Sequence, residues 1–578
     1  MTEIETVHEI ILNEFEQGVK NLLDGMIITF TGGLKFIYRF INQLLGFIVF
    51  FMGLWVMILI YLPFKYFVAL PVYEKGFEGL DEISLAACIA LMIVIFIKNC
   101  RKFFQVMPEN AFSRFINTIR NQDYRPEREG KNIPQYMKKR KKENVGFFFG
   151  EGEDFWFRNI FKFGTEKAYI GKSIKKDGHI LVVGGAGSGK SACIAKNVLE
   201  TWNAPIFAID IKGELSVYYN KLKSQNKVSR NAIVFDPTSK ECSQYDPYFS
   251  LRMGGEEYLV QNATEIALSI IPTPQNIKDP FWIQSAQNLL TGAILYYYGL
   301  GASFSETITG IQTTNVEKLI DEILDSDNLS AKIYVRQLYG LKLETLSGIA
   351  MEVANKIMVF ATDLQIRDSL CDSNDSNNYF HWCNLEDDSN IFLRLPEDRL
   401  DQWSADITLK INQLIRFLER RADRHSQQGK KLQPILILLD EFPRLGKIQA
   451  IEGALTTLRS KNVTIAVMIQ SLAQLDKIYG KESRQTILDN CPYKAILGVS
   501  DANSQKYFSD LIGSCEVERV SRGVQYDSED GLEVGQSSNI SKHREPIIFP
   551  HDLAKLKDVV LMTPDGFCRV KKVFAPRD

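Results

Sequence analysis

Hydrophobic residues along this chain fall into three kinds of run. The first kind is long and uncharged. Residues 44–62 carry no charge at all, and about 20 apolar residues span a bilayer core. A second run, Ile83 to Ile97, stops at Lys98 and predicts a shorter span over 83–97 that needs local thinning of the bilayer. Ahead of both, Val7, Ile10, Ile11, Phe15, Val19, Leu22 and Leu23 recur at helical spacing, which predicts an amphipathic cytoplasmic helix within 1–40. Lys35 and Arg39 precede the first run, Lys98, Arg101 and Lys102 follow the second, and Glu74, Glu78, Asp81 and Glu82 lie between them. That bias puts both flanks in the cytoplasm. The expectation is a multi-pass protein of the cell membrane, touching membrane lipids, with a transmembrane region at 41–98 and the bulk of the chain cytoplasmic. The acidic lead, without a small-residue cleavage site, excludes a signal peptide.

The second kind of run is short, aliphatic and ends on a polar residue. Ile180–Val183, Ala204–Asp210, Ala232–Asp236, Pro434–Glu441, Val463–Gln470 and Ala495–Val499 all read as strands. Runs this uniformly apolar suit strands covered on both faces, and helical stretches separate most of them. This alternation predicts an α/β fold with a parallel sheet. The third kind repeats at helical spacing over 255–390, as in Phe281–Leu290, Ala293–Tyr298 and Leu346–Ile357. It predicts an all-α insertion that splits a nucleotide-binding domain into 99–254 and 391–578. Residues 521–543, polar and rich in glycine and serine, are expected to form a mobile loop.

Candidate chemistry sits where strands end. Gly184, Gly185, Ala186, Gly187, Ser188, Gly189, Lys190 and Ser191 follow the first strand and fit the spacing G-x-x-x-x-G-K-[ST]. Such a loop turns its N–H groups onto a polyphosphate, with Lys190 reaching the β/γ-phosphates and the Ser191 hydroxyl ligating Mg²⁺. The helix that follows directs its positive dipole end at the phosphates. A plain glycine turn does not account for Lys190-Ser191. Asp440 and Glu441, ending the 434–441 strand, supply the other half: Asp440 for the Mg²⁺ shell, Glu441 to orient or deprotonate the attacking water. Gln470 ends a neighbouring strand and suits either a γ-phosphate sensor or a generic polar strand terminus. The implied cofactors are ATP and Mg²⁺.

Bulk composition narrows the partners. The 578 residues carry a formal net charge of −2, so contact with nucleic acid must be local. Nine scattered cysteines form no C-x-x-C pair, which argues against a disulfide framework or a zinc ribbon. Cys371, His381 and Cys383 lack a fourth ligand and read as ordinary loop residues. The basic cluster Lys138–Lys142 fits a solvated loop, anionic lipid or DNA phosphate.

Taken together, these motifs resemble the type IV coupling proteins, the TraG/TraD-like ATPases of conjugation and type IV secretion. The resemblance rests on the phosphate loop; on Asp210-Ile211-Lys212-Gly213-Glu214-Leu215; on Phe235-Asp236-Pro237, Asp279-Pro280-Phe281-Trp282 and Leu393-Arg394-Leu395-Pro396-Glu397; and on Leu439–Gly446, Gln470–Leu475 and Arg544–Ile548. It spans roughly 170–578. Gly185-Ala186 stands where Pro-Thr is commoner, Ile211 replaces a proline, and Glu545 separates Arg544 from Pro546; none removes a reacting group. The resemblance implies a RecA-like motor in a hexameric ring, with Gln470 as the sensor and Arg459, by position on the helix after the Asp-Glu strand, as an arginine finger acting on the neighbouring subunit. It also implies recruitment of single-stranded DNA with an attached relaxase, and its delivery to a type IV secretion channel. A coupling role for protein effectors alone, and an FtsK-like DNA translocase, remain the alternative readings.

Overall fold

The computed structural model describes residues 133–139, 141–154, 166–274, 278–374, 378–423, 432–526 and 533–576. The amphipathic helix expected within 1–40 and the spans expected at 44–62 and 83–97 lie outside these residues. The expected multi-pass location in the cell membrane is corrected: among the described residues no helix is long and apolar enough to cross a membrane. The longest of those helices, Leu343–Thr362, has 20 residues but buries only one stripe, Leu346, Ile349, Val353, Ile357 and Phe360. Most described residues belong to one compact unit, Glu127–Trp156 with Thr165–Val517 and Arg544–Asp578; the described residues of Glu518–His543 fall outside it.

The chain enters the main unit through β1 (Lys138–Lys139), β2 (Phe147–Asp154) and β3 (Glu166–Lys172). It continues into β4 (Ile180–Gly184), β5 (Ile206–Asp210) and β6 (Asn231–Phe235). A short parallel pair, β7 (Gln244–Tyr245) and β8 (Tyr379–Phe380), brackets a run of helices from Phe249 to Asp368. The sheet resumes with β9 (Ser389–Arg394), β10 (Ile435–Leu439), β11 (Val463–Ile469) and β12 (Tyr493–Gly498). Next come β13 (Ser514–Tyr526) and β14 (Glu533–Pro546), then β15 (Asp558–Thr563) and β16 (Gly566–Lys571).

Among the described residues, twelve strands form one sheet in the order β1-β3-β2-β16-β15-β12-β4-β11-β10-β5-β9-β6. From β12 to β6 every pairing is parallel; the wing from β1 to β15, and its junction with β12, is antiparallel. The period-two alternation of a strand divides the central side chains between two cores. Leu181, Val183, Phe207, Ile209, Ile437, Leu439, Ile465 and Val467 join one hydrophobic cluster, whereas Ile180, Val182, Ile206, Ala208, Leu436, Leu438, Ala466 and Met468 join the other. Each fully buried aliphatic side chain contributes about 1.5–3 kcal/mol, so this double burial holds the centre of the sheet rigid.

The helical run shares the first of those cores. Ile294, Ile349, Val353 and Ile357 belong to the same cluster as Phe207 and Leu439. Its helix starts are set by side chains. Ser303 and Glu306 form a capping box, and Asn315, Asn328 and Asp363 each accept a backbone N–H of the first turn, each cap stabilising its helix by about 1 kcal/mol.

Two expectations change. Residues 521–526 and 533–543 are strand rather than loop: β13 and β14 pair with each other in a two-stranded sheet. Backbone pairing sets a strand, and a polar ribbon carries no apolar signature to announce it. Within the basic cluster, Lys142 is not simply solvated either. Lys142 donates to Asn197 Oδ1 at 2.9 Å and Glu200 Oε2 at 2.5 Å, and lies over the Phe148 ring.

Candidate nucleotide site

The fully buried β4 runs directly into the glycine loop. Gly187 and Gly189 adopt φ of 72° and 98°, a region in which other residues are strained. At Gly189 there is also no room: a Cβ would lie 2.7 Å from Cys193 Sγ. The loop is tied to the sheet by Gly185 N–H on Gly498 O at 2.7 Å and closed by Ser188 N–H on Gly185 O at 3.2 Å. The following helix starts as a π-helix over Lys190–Ala195 and continues as an α-helix over Lys196–Thr201.

Lys190 is 8 % exposed. Its ammonium folds back across the loop, 2.5 Å from Gly184 O and 3.4 Å from Gly185 O. Burial pulls its pKa down, while the nearby carboxylates of Asp440 and Glu441 pull the other way. A buried cation whose hydrogen bonds among the described residues go to two carbonyls is poised for an anion. Ser188 Oγ is buried without a hydrogen-bond partner among the described residues and lies close against Gly184.

The acidic half arrives through the sheet register. Leu439 on β10 aligns with Val467 on β11, and Ile469 on β11 aligns with Val183 on β4. The carboxyl ends of β4, β11 and β10 therefore share one sheet edge, where open α/β sheets take their ligands. There Ser191 Oγ donates to Asp440 Oδ2 at 3.0 Å across 249 residues of chain. Burial raises the Asp440 pKa, and the Ser191 hydroxyl partly offsets this. A hydroxyl paired with a buried carboxylate beside a polyphosphate loop is the donor set expected for Mg²⁺. Glu441 takes a left-handed conformation, φ 52°, and its N–H donates to Asp440 Oδ1 at 3.1 Å. Its carboxylate is held by Lys212 Nζ at 2.7 Å, and that hydrogen bond is the main reason the Lys212 pKa is raised.

Gln470 follows β11, between the phosphate loop and the acidic pair; its N–H donates to Gln474 Oε1 at 3.2 Å. Arg459 is elsewhere. The helix after β10 spans Ile451–Thr457, and Arg459 lies beyond its end, exposed, in the turn that leads to β11. Its charge is felt by His179, just before β4, and by Tyr493, which starts β12. Both mark the amino ends of parallel strands, the opposite edge from the loop. The structure thus gathers Lys190, Ser191, Asp440, Glu441 and Gln470 and leaves Arg459 outside its own chain's site.

Two neighbours of the site were not singled out from sequence. Lys212 stands in the quoted Asp210–Leu215 motif, and its signal was its place just past a strand adjacent to β10. Lys572 carries no motif. It follows β16 and donates to Leu497 O at 2.6 Å, Leu556 O at 3.0 Å and Ser188 O at 3.4 Å, bracing the loop from 384 residues away. Asp210 is spoken for: its carboxylate accepts Leu215 N–H, Ser216 N–H and Ser216 Oγ–H, capping the helix Glu214–Ser224.

Known proteins resemble this chain in sequence and in fold. The chain is 25% identical over 343 residues to VirD4 of Rhizobium radiobacter, a match covering 58% of this chain and 48% of that protein. It is 22% identical over 387 residues to the conjugal transfer protein TraG of Escherichia coli, covering 60% and 59%. The match thus spans only about half to three-fifths of these relatives' length. Among solved structures, the plasmid coupling protein TrwB in complex with the non-hydrolysable ATP analogue ADPNP superposes with a TM-score of 0.53 at 17% identity, covering 69% of this chain and 86% of that one. TrwB with ADP and Mg²⁺ gives a TM-score of 0.51 at 18% identity and the same coverage. These likenesses establish the mixed α/β fold with its parallel-rich sheet. A family model described as type IV secretory system conjugative DNA transfer matches residues 117–563, and by this match the chain belongs to that family of coupling proteins.

Proposed function

We propose that the chain is a coupling ATPase that recruits a relaxase with its single-stranded DNA and drives it into a type IV secretion channel. The observation that carries this reading is the Ser191–Asp440 contact at 3.0 Å, which joins the phosphate loop and the acidic strand in one pocket. ATP is the substrate. Its phosphates lie in the loop 184–191, where Lys190 exchanges two carbonyls for phosphate oxygens. Ser191 and Asp440 hold Mg²⁺, which neutralises charge on the phosphates. Glu441 leaves Lys212 to orient the attacking water, and Gln470 hydrogen-bonds the γ-phosphate or that water. Arg459, exposed and remote from its own loop, serves the neighbouring subunit of a hexameric ring. Complexes of TrwB with ADPNP and with ADP and Mg²⁺ support the choice of nucleotide and ion.

The test is phosphate release by the purified full-length chain with and without single-stranded DNA. Turnover rises with DNA in the wild type. Lys190→Ala, which removes the buried cation, lowers turnover at least about a hundredfold. Turnover that is indifferent to DNA but stimulated by an effector protein points to protein cargo; equal rates in wild type and Lys190→Ala defeat the motor reading.

A further inference from the structure

The segment that leaves β16 does more than brace the phosphate loop. It crosses the start of the loop's helix under restraint on both sides. Asn197 Nδ2 donates to Val573 O at 2.9 Å, and Ala575 N–H donates to Ala192 O at 2.9 Å. Between these two anchors sits Phe574. Its ring edge lies 3.3 Å from the point where a Cβ on Gly189 would be, so it flanks the last glycine before Lys190. Yet the residue is 63% exposed. Its neighbour Ala575 is buried, and no ring contact involving Phe574 stands among those of the described residues. A large aromatic ring fixed beside a phosphate loop, with most of its surface in water, is unexplained by packing of the chain itself.

A nucleotide explains it. The loop takes the β- and γ-phosphates, and the α-phosphate meets the first turn of the helix at Ser191 and Ala192. The nucleoside must then leave the loop past that first turn, which is the ground the Val573–Ala575 segment crosses. We propose that Phe574 is the platform on which the base of the bound nucleoside triphosphate stacks. This rests on the nucleotide reading of the loop given above and adds a base-recognition residue to it. The pre-set backbone on either side means that little ordering is lost when the base arrives. Stacking reads the π-face rather than the hydrogen-bonding edge of a base, so the platform favours a nucleotide over bare polyphosphate without selecting among bases.

The experiment compares two ligands on the full-length chain, ATP and inorganic tripolyphosphate, each with Mg²⁺, by calorimetry. Tripolyphosphate fills the loop but has nothing to stack. Phe574→Ala is expected to weaken ATP about tenfold, in the range seen when a base loses an aromatic partner, and to leave tripolyphosphate unchanged. Phe574→Trp is expected to restore ATP affinity, with quenching of the new indole's fluorescence by ATP and none by tripolyphosphate. If Phe574→Ala binds ATP as the wild type does, or if both ligands weaken equally, the ring is no platform, whereas the loop reading survives. If the wild type binds neither ligand, the loop reading falls and the platform with it.

Discussion

At the scale of single residues, the site holds its reacting groups in check. Glu441 combines a left-handed backbone with an ion pair to Lys212 at 2.7 Å, and Lys190 is bonded to the carbonyls of its own loop. Strained conformations of this kind persist only where surrounding structure over-determines them. Glu441→Gln keeps the shape of the side chain but removes the charge proposed to activate water. Turnover should fall about 10²–10⁴-fold while ATP binding is kept, as nucleotide titration alongside phosphate release would show; unchanged turnover removes Glu441 from the chemistry. Gly213 shows the same economy of space. It has φ 68°, and a Cβ there would lie 2.5 Å from Arg394 Nε, whose guanidinium pairs with Asp236. The Lys212–Gly213 dipeptide thus lets one cation reach Glu441 while another passes behind it.

At the scale of elements, the central strands were legible because two-sided burial leaves a plain signature. Ile180–Gly184, Ile206–Asp210, Ile435–Leu439 and Val463–Ile469 contain only buried residues, and their aliphatic runs and polar ends reveal both the strand and the edge on which chemistry sits. The phosphate loop and the acidic pair were legible for the same reason. β13 and β14 were not, since their polar residues resemble a loop until paired. Lys572 was not, because a brace that works through backbone carbonyls demands nothing of its partners' side chains. Arg459 was read as helical, but the helix stops at Thr457. Strand β4 also carries an acid-sensitive joint. His179 Nδ1 accepts the Ile465 N–H at 2.9 Å, and burial, reinforced by the charge of Lys172, pushes the His179 pKa down to about 3. The folded imidazole therefore stays neutral where the unfolded one, near 6.5, takes up a proton. Stability from this group is complete above about pH 6.5 and is lost as the pH falls toward 3. Between pH 7 and pH 5 the loss is about 2 kcal/mol. Urea unfolding at both pH values should show it in the wild type and a smaller loss in His179→Asn, whose amide oxygen can still accept the Ile465 N–H; identical losses would acquit His179.

At the scale of the whole molecule, the role proposed for Arg459 needs a neighbour. An arginine at the amino-end edge of the sheet cannot serve a loop at the carboxyl-end edge of the same sheet, so its use in catalysis requires a second copy. Arg459→Ala alone should lose hydrolysis by about 10³-fold or more. Mixed with Lys190→Ala, also inactive, it should regain part of the wild-type rate, because some interfaces then unite an intact loop with an intact arginine. Phosphate release from the two variants, apart and mixed, decides the matter; no regain sinks action between subunits.

The strand order has a consequence for how the protein is made. β4 lies between β12 and β11, and the loop that follows it is pinned by carbonyl-bound Lys572. Ser188 is therefore made 384 residues before Lys572, which braces it. At about 5–20 residues per second, that is a wait of roughly 20–75 s. Until β11 and β12 are made, β4 has neither of its neighbours in the sheet. Over that interval the phosphate loop of the nascent chain stands without this brace, and the braced loop becomes available to a nucleotide only once Lys572 has been made.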